Sequence, residues 1–217
     1  MRCVQGVLLV ALGIMSFAAA PAAACSMMAG YKVPTNLELA IKGETILIGE
    51  VTGERPGADE WSHAVLVRPL TLLKGDRLPD QVEMAGSSVA PADVAVTPSD
   101  PRELRAPNPD AMSGYCVRYH FAKGTKLLLF LARDERGQLV PFRSAFSRDS
   151  EDVSGEDALW VKAIREYAAI SLLPSAERRP MIRSRIAALQ AAGDADSLAI
   201  AKDLAVELSG KRRPAYD

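Results

Sequence analysis

The chain has 217 residues, with 26 lysines and arginines against 27 aspartates and glutamates, two histidines and a formal net charge of −1. That length holds one domain, or one domain with an appendage. The near-neutral balance gives no basis for a nucleic-acid partner, which needs a concentrated basic face; the one dense basic cluster, Lys211-Arg212-Arg213, reads as a solvated terminus.

Residues 1–24 read as a secretory signal peptide: Arg2 at the head, an apolar middle from Val7 to Met15, and a small-residue exit at Pro21-Ala22-Ala23-Ala24. The apolar stretch is short of the roughly 20 residues that a spanning helix needs. No second long apolar run follows, so no transmembrane segment is expected in the mature chain. Cleavage after Ala24 removes Arg2 and leaves a chain of net charge −2 that begins at Cys25, expected to be secreted or periplasmic.

Cys3 departs with the leader, leaving Cys25 and Cys116. In an oxidising compartment an even pair reads as one disulfide. Closing a loop of about 90 residues would stabilise the fold by at most about 4 kcal/mol in the chain-entropy model. The competing reading is a lipid anchor on Cys25 with Cys116 left alone, although Ala22 stands where such signals usually carry a leucine-like residue.

From residue 25 to about 150 the pattern is that of strands. Glu44–Thr52 is β-rich, with Gly49 suited to a bulge or coil. His63–Leu73 follows, with Pro69 at an edge or bulge because it cannot donate to a ladder. Gln81–Ala85 alternates polar and apolar residues, Lys126–Ala132 is continuously apolar, and Gln138–Phe142 returns after the Asp134-Glu135-Arg136-Gly137 turn. Five short, mostly antiparallel strands predict a small closed barrel, which removes exposed sheet edges. Between the third and fourth lies an aperiodic insert, 87–114, with five prolines, expected to be a mobile surface loop.

After Asp149 the apolar period lengthens to about 3.6. Ser154 and Asp157 form a weak capping box before the stripe Leu159, Trp160, Ala163, Ile164, Tyr167 and Ala168. Pro174 ends that helix, Pro180 suits the first turn of the next, and Gly193 stops it. Asp196 is expected to cap a last helix that turns Leu198, Ala201, Ala205 and Leu208 inward and ends at Gly210. The predicted fold class is therefore α+β: a five-stranded barrel over 25–150, then a helical segment over 151–210 packed on it, with Trp160 and Tyr167 in the joint.

These residues resemble the netrin-like superfamily, whose barrel is the OB-fold of the tissue inhibitors of metalloproteinases. The likeness rests on Ala24-Cys25-Ser26 after the leader, on the strand pair Ile46–Val51 and Val65–Gly75, and on Cys116 followed by Phe121, Gly124 and the strand Leu127–Phe130. It covers residues 25 to about 150. The resemblance implies a Cys25–Cys116 bridge and an inhibitory front end in which the Cys25 α-amine and carbonyl, beside Ser26, fill the open position of a protease's catalytic zinc. The inhibitors begin Cys-x-Cys, whereas this chain has Met27 in the second place, which leaves that front end less braced.

No His-Glu-x-x-His, Gly-x-Ser-x-Gly, phosphate-binding glycine loop or Cys-x-x-Cys occurs. His63 and His120 are scattered in sequence and each reads as a surface or strand histidine, and Glu83 or Glu50 would complete a metal site only by coincidence. Ser87, Ser88 and Ser144 have no base nearby in sequence, and Asp100 and Asp110 suit turns. No enzyme, catalytic residue, metal or cofactor is expected. The expected function is an exported binding module of the cell envelope or exterior, engaging a protein or glycan. Two alternatives are a zinc-protease inhibitor acting through Cys25 and a lipid-anchored scaffold.

Overall fold

The computed structural model describes residues 29–58 and 62–214. Helix α1 (Asn36–Lys42) starts at a capping box: the Thr35 hydroxyl accepts from the Glu38 N–H, and the Glu38 carboxylate accepts from the Thr35 N–H. The ammonium of Lys74 covers its other end by donating to the Ala40 carbonyl at 2.6 Å.

Strands β1 (Thr45–Arg55), β2 (Ala64–Lys74) and β3 (Val82–Ala85) form an antiparallel meander. The ladder slips between Ile48 and Gly49, where Gly49 faces Pro69. A Cβ at Gly49 would lie 2.5 Å from Val67 Cγ1 and 3.1 Å from the Arg68 carbonyl, so the coil of β1 requires glycine there. Strands β4 (Ser88–Val89) and β5 (His120–Phe121) make a separate short parallel ladder. Strand β6 (Lys126–Arg133) pairs with β1 on one side and, on the other, with β7 (Leu139–Pro141) and β8 (Ser150–Asp152).

The main sheet therefore runs β3-β2-β1-β6-β7, with β8 beside β7 on the far edge of β6. Its strands alternate between two apolar clusters. Leu47, Val51, Val65, Val67, Leu127, Leu129 and Leu131 point to one face. Ile46, Ile48, Leu128 and Phe130 point to the other, where the helices lie. Burial on both faces explains the unbroken apolar run of β6.

Helices α2 (Leu159–Ser171), α3 (Ser175–Ala192) and α4 (Ala195–Ser209) complete the chain. Trp160 sits 6.4 Å from Phe130, ring centre to ring centre, and shares its cluster with Ile164 and Tyr167. The Tyr167 hydroxyl donates to the buried Asp203 of α4 at 2.8 Å, and Asn36 of α1 donates to the same oxygen, so one carboxylate ties three helices.

The fold is α+β with an antiparallel sheet and four helices, and several expectations need correction. The sheet is open: β3 and β7 approach each other, but no ladder joins them among the described residues. Strand β7 is three residues long and ends in Pro141, which has no N–H to offer. Three elements are additional to the five strands and three helices expected: α1, β8 and the β4–β5 ladder. Helix α2 starts at Leu159 without a side-chain cap, not at Ser154. Pro180 lies well inside α3 rather than in its first turn. Asp194, not Asp196, caps α4 by accepting from the N–H groups of Asp196 and Ser197. The buried face of α4 is Ile200, Ala201 and Leu204; Leu198 is exposed, because the tie from Asp203 to Tyr167 and Asn36 sets the helix's rotation.

Candidate functional site

The 87–114 insert is not the mobile loop expected. Its anchor is a polar network against β8. The Asp152 carboxylate accepts from the Ser99 N–H at 2.7 Å and its hydroxyl at 3.0 Å, and Glu151 accepts from the Asn108 N–H at 3.0 Å. Asn108 donates to the Thr97 carbonyl at 2.9 Å. Arg148 reaches out of the core to the carbonyls of Glu103 and Ala106, and its guanidinium lies 4.5 Å over the Trp160 ring. Arg118 pairs with Asp152 at 2.9 Å, donates to the Ser150 carbonyl and stacks over Phe121. Buried charges hold only where such partners exist.

On this base the segment 109–121 presents aromatic rings. A short 3-10 turn, Pro109–Met112, starts where Asn108 Oδ1 accepts from the Asp110 N–H. The Asp110 carboxylate then receives the N–H groups of Tyr119 at 2.7 Å and His120 at 2.8 Å, the His120 ring Nδ1 at 3.1 Å and, more weakly, the Ser113 hydroxyl at 3.4 Å. Burial alone would push its carboxyl up, but the two N–H groups and the ring outweigh it and leave the pKa below the ordinary value.

The Tyr115 and Tyr119 rings stack, 4.5 Å apart and 12° from parallel, and His120 meets Tyr119 edge-on at 4.8 Å. Tyr115 is 43% exposed, Met112 45% and Val94 50%. Beside them a groove of about 270 Å³ runs between residues 94–97 and Pro109, Asp110, Ser113 and His120. Ordered rings and apolar side chains facing water are what a recognition surface provides.

Cys116, buried between Tyr115 and Val117, has a left-handed backbone (φ 61°), as does Phe146 (φ 56°), and the Phe146 N–H donates to the Cys116 carbonyl at 2.7 Å. A non-glycine residue holds that conformation only where its surroundings enforce it. Here Val33, Ala145 and Tyr31 pack around the pair, and the Tyr31 hydroxyl donates to the Ala145 carbonyl. Cys25 and Ser26, the other residues singled out in the sequence, lie outside the described residues.

His120 lies in β5, and each of the two histidines meets a carboxylate. His63 Nδ1 is 2.5 Å from Glu54, whose other oxygen accepts from the Val89 N–H and the Ser88 hydroxyl. Glu83 and Glu50 pair with Arg55 and Arg68 instead. Ser87 accepts from Arg143, and Ser144 donates its N–H to Asp149. Among the described residues no group of three or more histidines, cysteines or carboxylates is placed to hold a metal ion, and no helix is long and apolar enough to cross a membrane.

The terminal cluster is not simply solvated: Arg212 pairs with Glu38 and donates to the Val33 carbonyl at 3.2 Å, and Arg213 donates to the Phe146 carbonyl at 2.7 Å. Asp110, read as a turn residue, does lie in the 3-10 turn, and the residues missed from sequence are Tyr115 and Tyr119. The spacing Tyr115-x-x-x-Tyr119 was a weak signal for them, and Asn108-Pro109-Asp110 a turn signal. No protein-family model matches the chain. A search of curated proteins finds no match either.

Proposed function

We propose that the chain is an exported, non-catalytic binding module that engages a protein through the Tyr115–Tyr119–His120 face. In this reading residues 1–24 are cleaved, the mature chain acts in the envelope or outside the cell, and Cys25 is bridged to Cys116. The open sheet is taken as a relative of the OB-type, netrin-like barrel, a reading that the strand order β3-β2-β1-β6-β7 and the approach of β3 to β7 support. The observation that carries the function is the exposed aromatic stack on a segment that also exposes Met112, with exposed Val94 lining the same groove as His120. Aliphatic side chains beside the rings favour a protein over a glycan.

A photo-crosslinking residue at position 115, compared with one at the exposed Met181 of α3, tests this in the native envelope. Discrete adducts from 115, lost when Tyr119→Ala is added, support the proposal. Equal labelling from both positions, or none from 115, overturns it.

A zinc-protease inhibitor is the second reading, favoured by one observation: Tyr31, six residues after Cys25, packs in the Cys116 cluster next to Tyr115. Intact mass of the mature protein separates the readings. A start at Cys25 two hydrogens short of the reduced mass supports bridging, and a lipid adduct points to an anchored scaffold. A start elsewhere removes the inhibitor, as does no effect on a zinc-protease panel at about micromolar concentration.

A further inference from the structure

We propose that the gap between the edge strands β3 and β7 is a second binding site, which takes a small monocarboxylate with a short apolar tail, its head on Arg143 and its tail against Met84, Val117, Val140 and Phe142. A cavity of about 180 Å³ opens there, and its lining is mostly apolar. It lies where the sheet fails to close, between Val82–Ala85 and Leu139–Pro141, so no ladder fills the space. Its volume matches a ligand of a few carbon atoms and is too small for a peptide strand or a lipid with two chains.

The polar end decides the charge of the ligand. Arg143 donates through Nη1 to the Ala85 carbonyl and, at 3.0 Å, to the Ser87 hydroxyl. Its Nη2 and Nε have no hydrogen-bond partner among the described residues, and the residue, which lines the cavity, is exposed overall. The other charged groups of the lining are already committed: Arg118 to Asp152, and Glu83 to Arg55. Asp149 closes the base, but its oxygens are taken up by the Ser144 N–H and the hydroxyls of Ser147 and Ser150. It stays protonated up to about pH 7 and does not repel an anion below that. One guanidinium with two spare donors at the mouth of an apolar pocket fits a carboxylate, which it can grip in bidentate fashion. The site does not depend on the aromatic face, and either can fail without the other.

The test is titration of the purified protein, at about pH 6, with hexanoate, hexan-1-ol and hexylamine, followed by NMR shifts of the Ala85, Val117 and Val140 amides. Hexanoate is expected to bind with a Kd of about a millimolar, in line with its few heavy atoms. Hexanol should bind about tenfold more weakly and hexylamine weaker still. Arg143→Gln, at an exposed position, should bring hexanoate down to the level of hexanol. Val140→Phe, which fills the cavity, should abolish binding of all three while leaving the amide spectrum elsewhere folded. Hexylamine binding as well as hexanoate, an unaltered affinity in Arg143→Gln, or no shifts at those amides at about 20 mM hexanoate would each overturn the proposal.

Discussion

Replacing Asp149 with asparagine isolates a buried carboxyl whose pKa is strongly raised. Asp149 is 4% exposed, and it faces no cation at hydrogen-bond distance. One oxygen accepts from the Ser144 N–H at 2.8 Å and the Ser147 hydroxyl at 3.0 Å, and the other from the Ser150 hydroxyl at 3.3 Å. Burial outweighs these bonds and pushes the pKa from 3.8 up to about 7. The unfolded chain therefore loses this proton near pH 4 and the folded chain only near pH 7. Between the two the folded state holds the extra proton, so stability falls as the pH rises.

A shift of about three pH units corresponds to about 4 kcal/mol, fully present below pH 4 and lost by about pH 7. Asparagine keeps the acceptor that serves Ser144 and Ser147, its amide can donate to the Ser150 oxygen, and it never ionises. Asp149→Asn should therefore change stability by less than about 1 kcal/mol near pH 4. Near pH 8 it should stabilise by up to about 4 kcal/mol. Urea unfolding followed by tryptophan fluorescence, run on both proteins across that range, gives the difference with all other titrations cancelled. A difference that stays flat with pH, or one that grows toward acid, would refute the burial argument.

Gly49→Ala should destabilise by about 2 kcal/mol, since its Cβ would sit 2.5 Å from Val67 Cγ1 and close to a carbonyl that cannot move; the urea midpoint reports it. Arg148→Ala should cost about 3–5 kcal/mol, because it strands the buried Glu151 and the carbonyls of Glu103 and Ala106. The double variant Arg148→Met with Glu151→Leu should recover only the part due to the stranded carboxylate, since the Glu103 and Ala106 carbonyls and the Asn108 N–H still lose their partners, and a pair of purely additive effects in thermal unfolding would contradict the coupling. Thr35→Ala should weaken the α1 cap by about 1 kcal/mol, visible as faster amide exchange at Glu38.

The sheet and the long helices were legible because their apolar periods are local. The stretch Lys126–Ala132, read as a continuously apolar strand, is buried on both faces, with Leu127, Leu129 and Leu131 on one side and Leu128 and Phe130 on the other. Helix α1 was within reach too, since Thr35-x-x-Glu38 is a capping box ahead of an apolar turn. The misses share a physical cause. Strand β8 is Ser-Glu-Asp, a sequence with no β signal, and it is a strand only because Arg118 and Arg148 neutralise its carboxylates.

The 87–114 insert is ordered by the same residues, through bonds from Ser99 and Asn108 to positions more than forty residues away. The Tyr115–Tyr119 stack needs the left-handed turn at Cys116, which is enforced by Phe146, thirty residues on. A charged stretch such as Arg148–Asp152 reads in sequence as solvated surface, yet it is the hub that orders a proline-rich segment beside the Tyr115–Tyr119 stack. Substitutions there should therefore behave as core substitutions do, and those at Tyr115 or Met112 as surface ones, the reverse of what their chemistry alone implies.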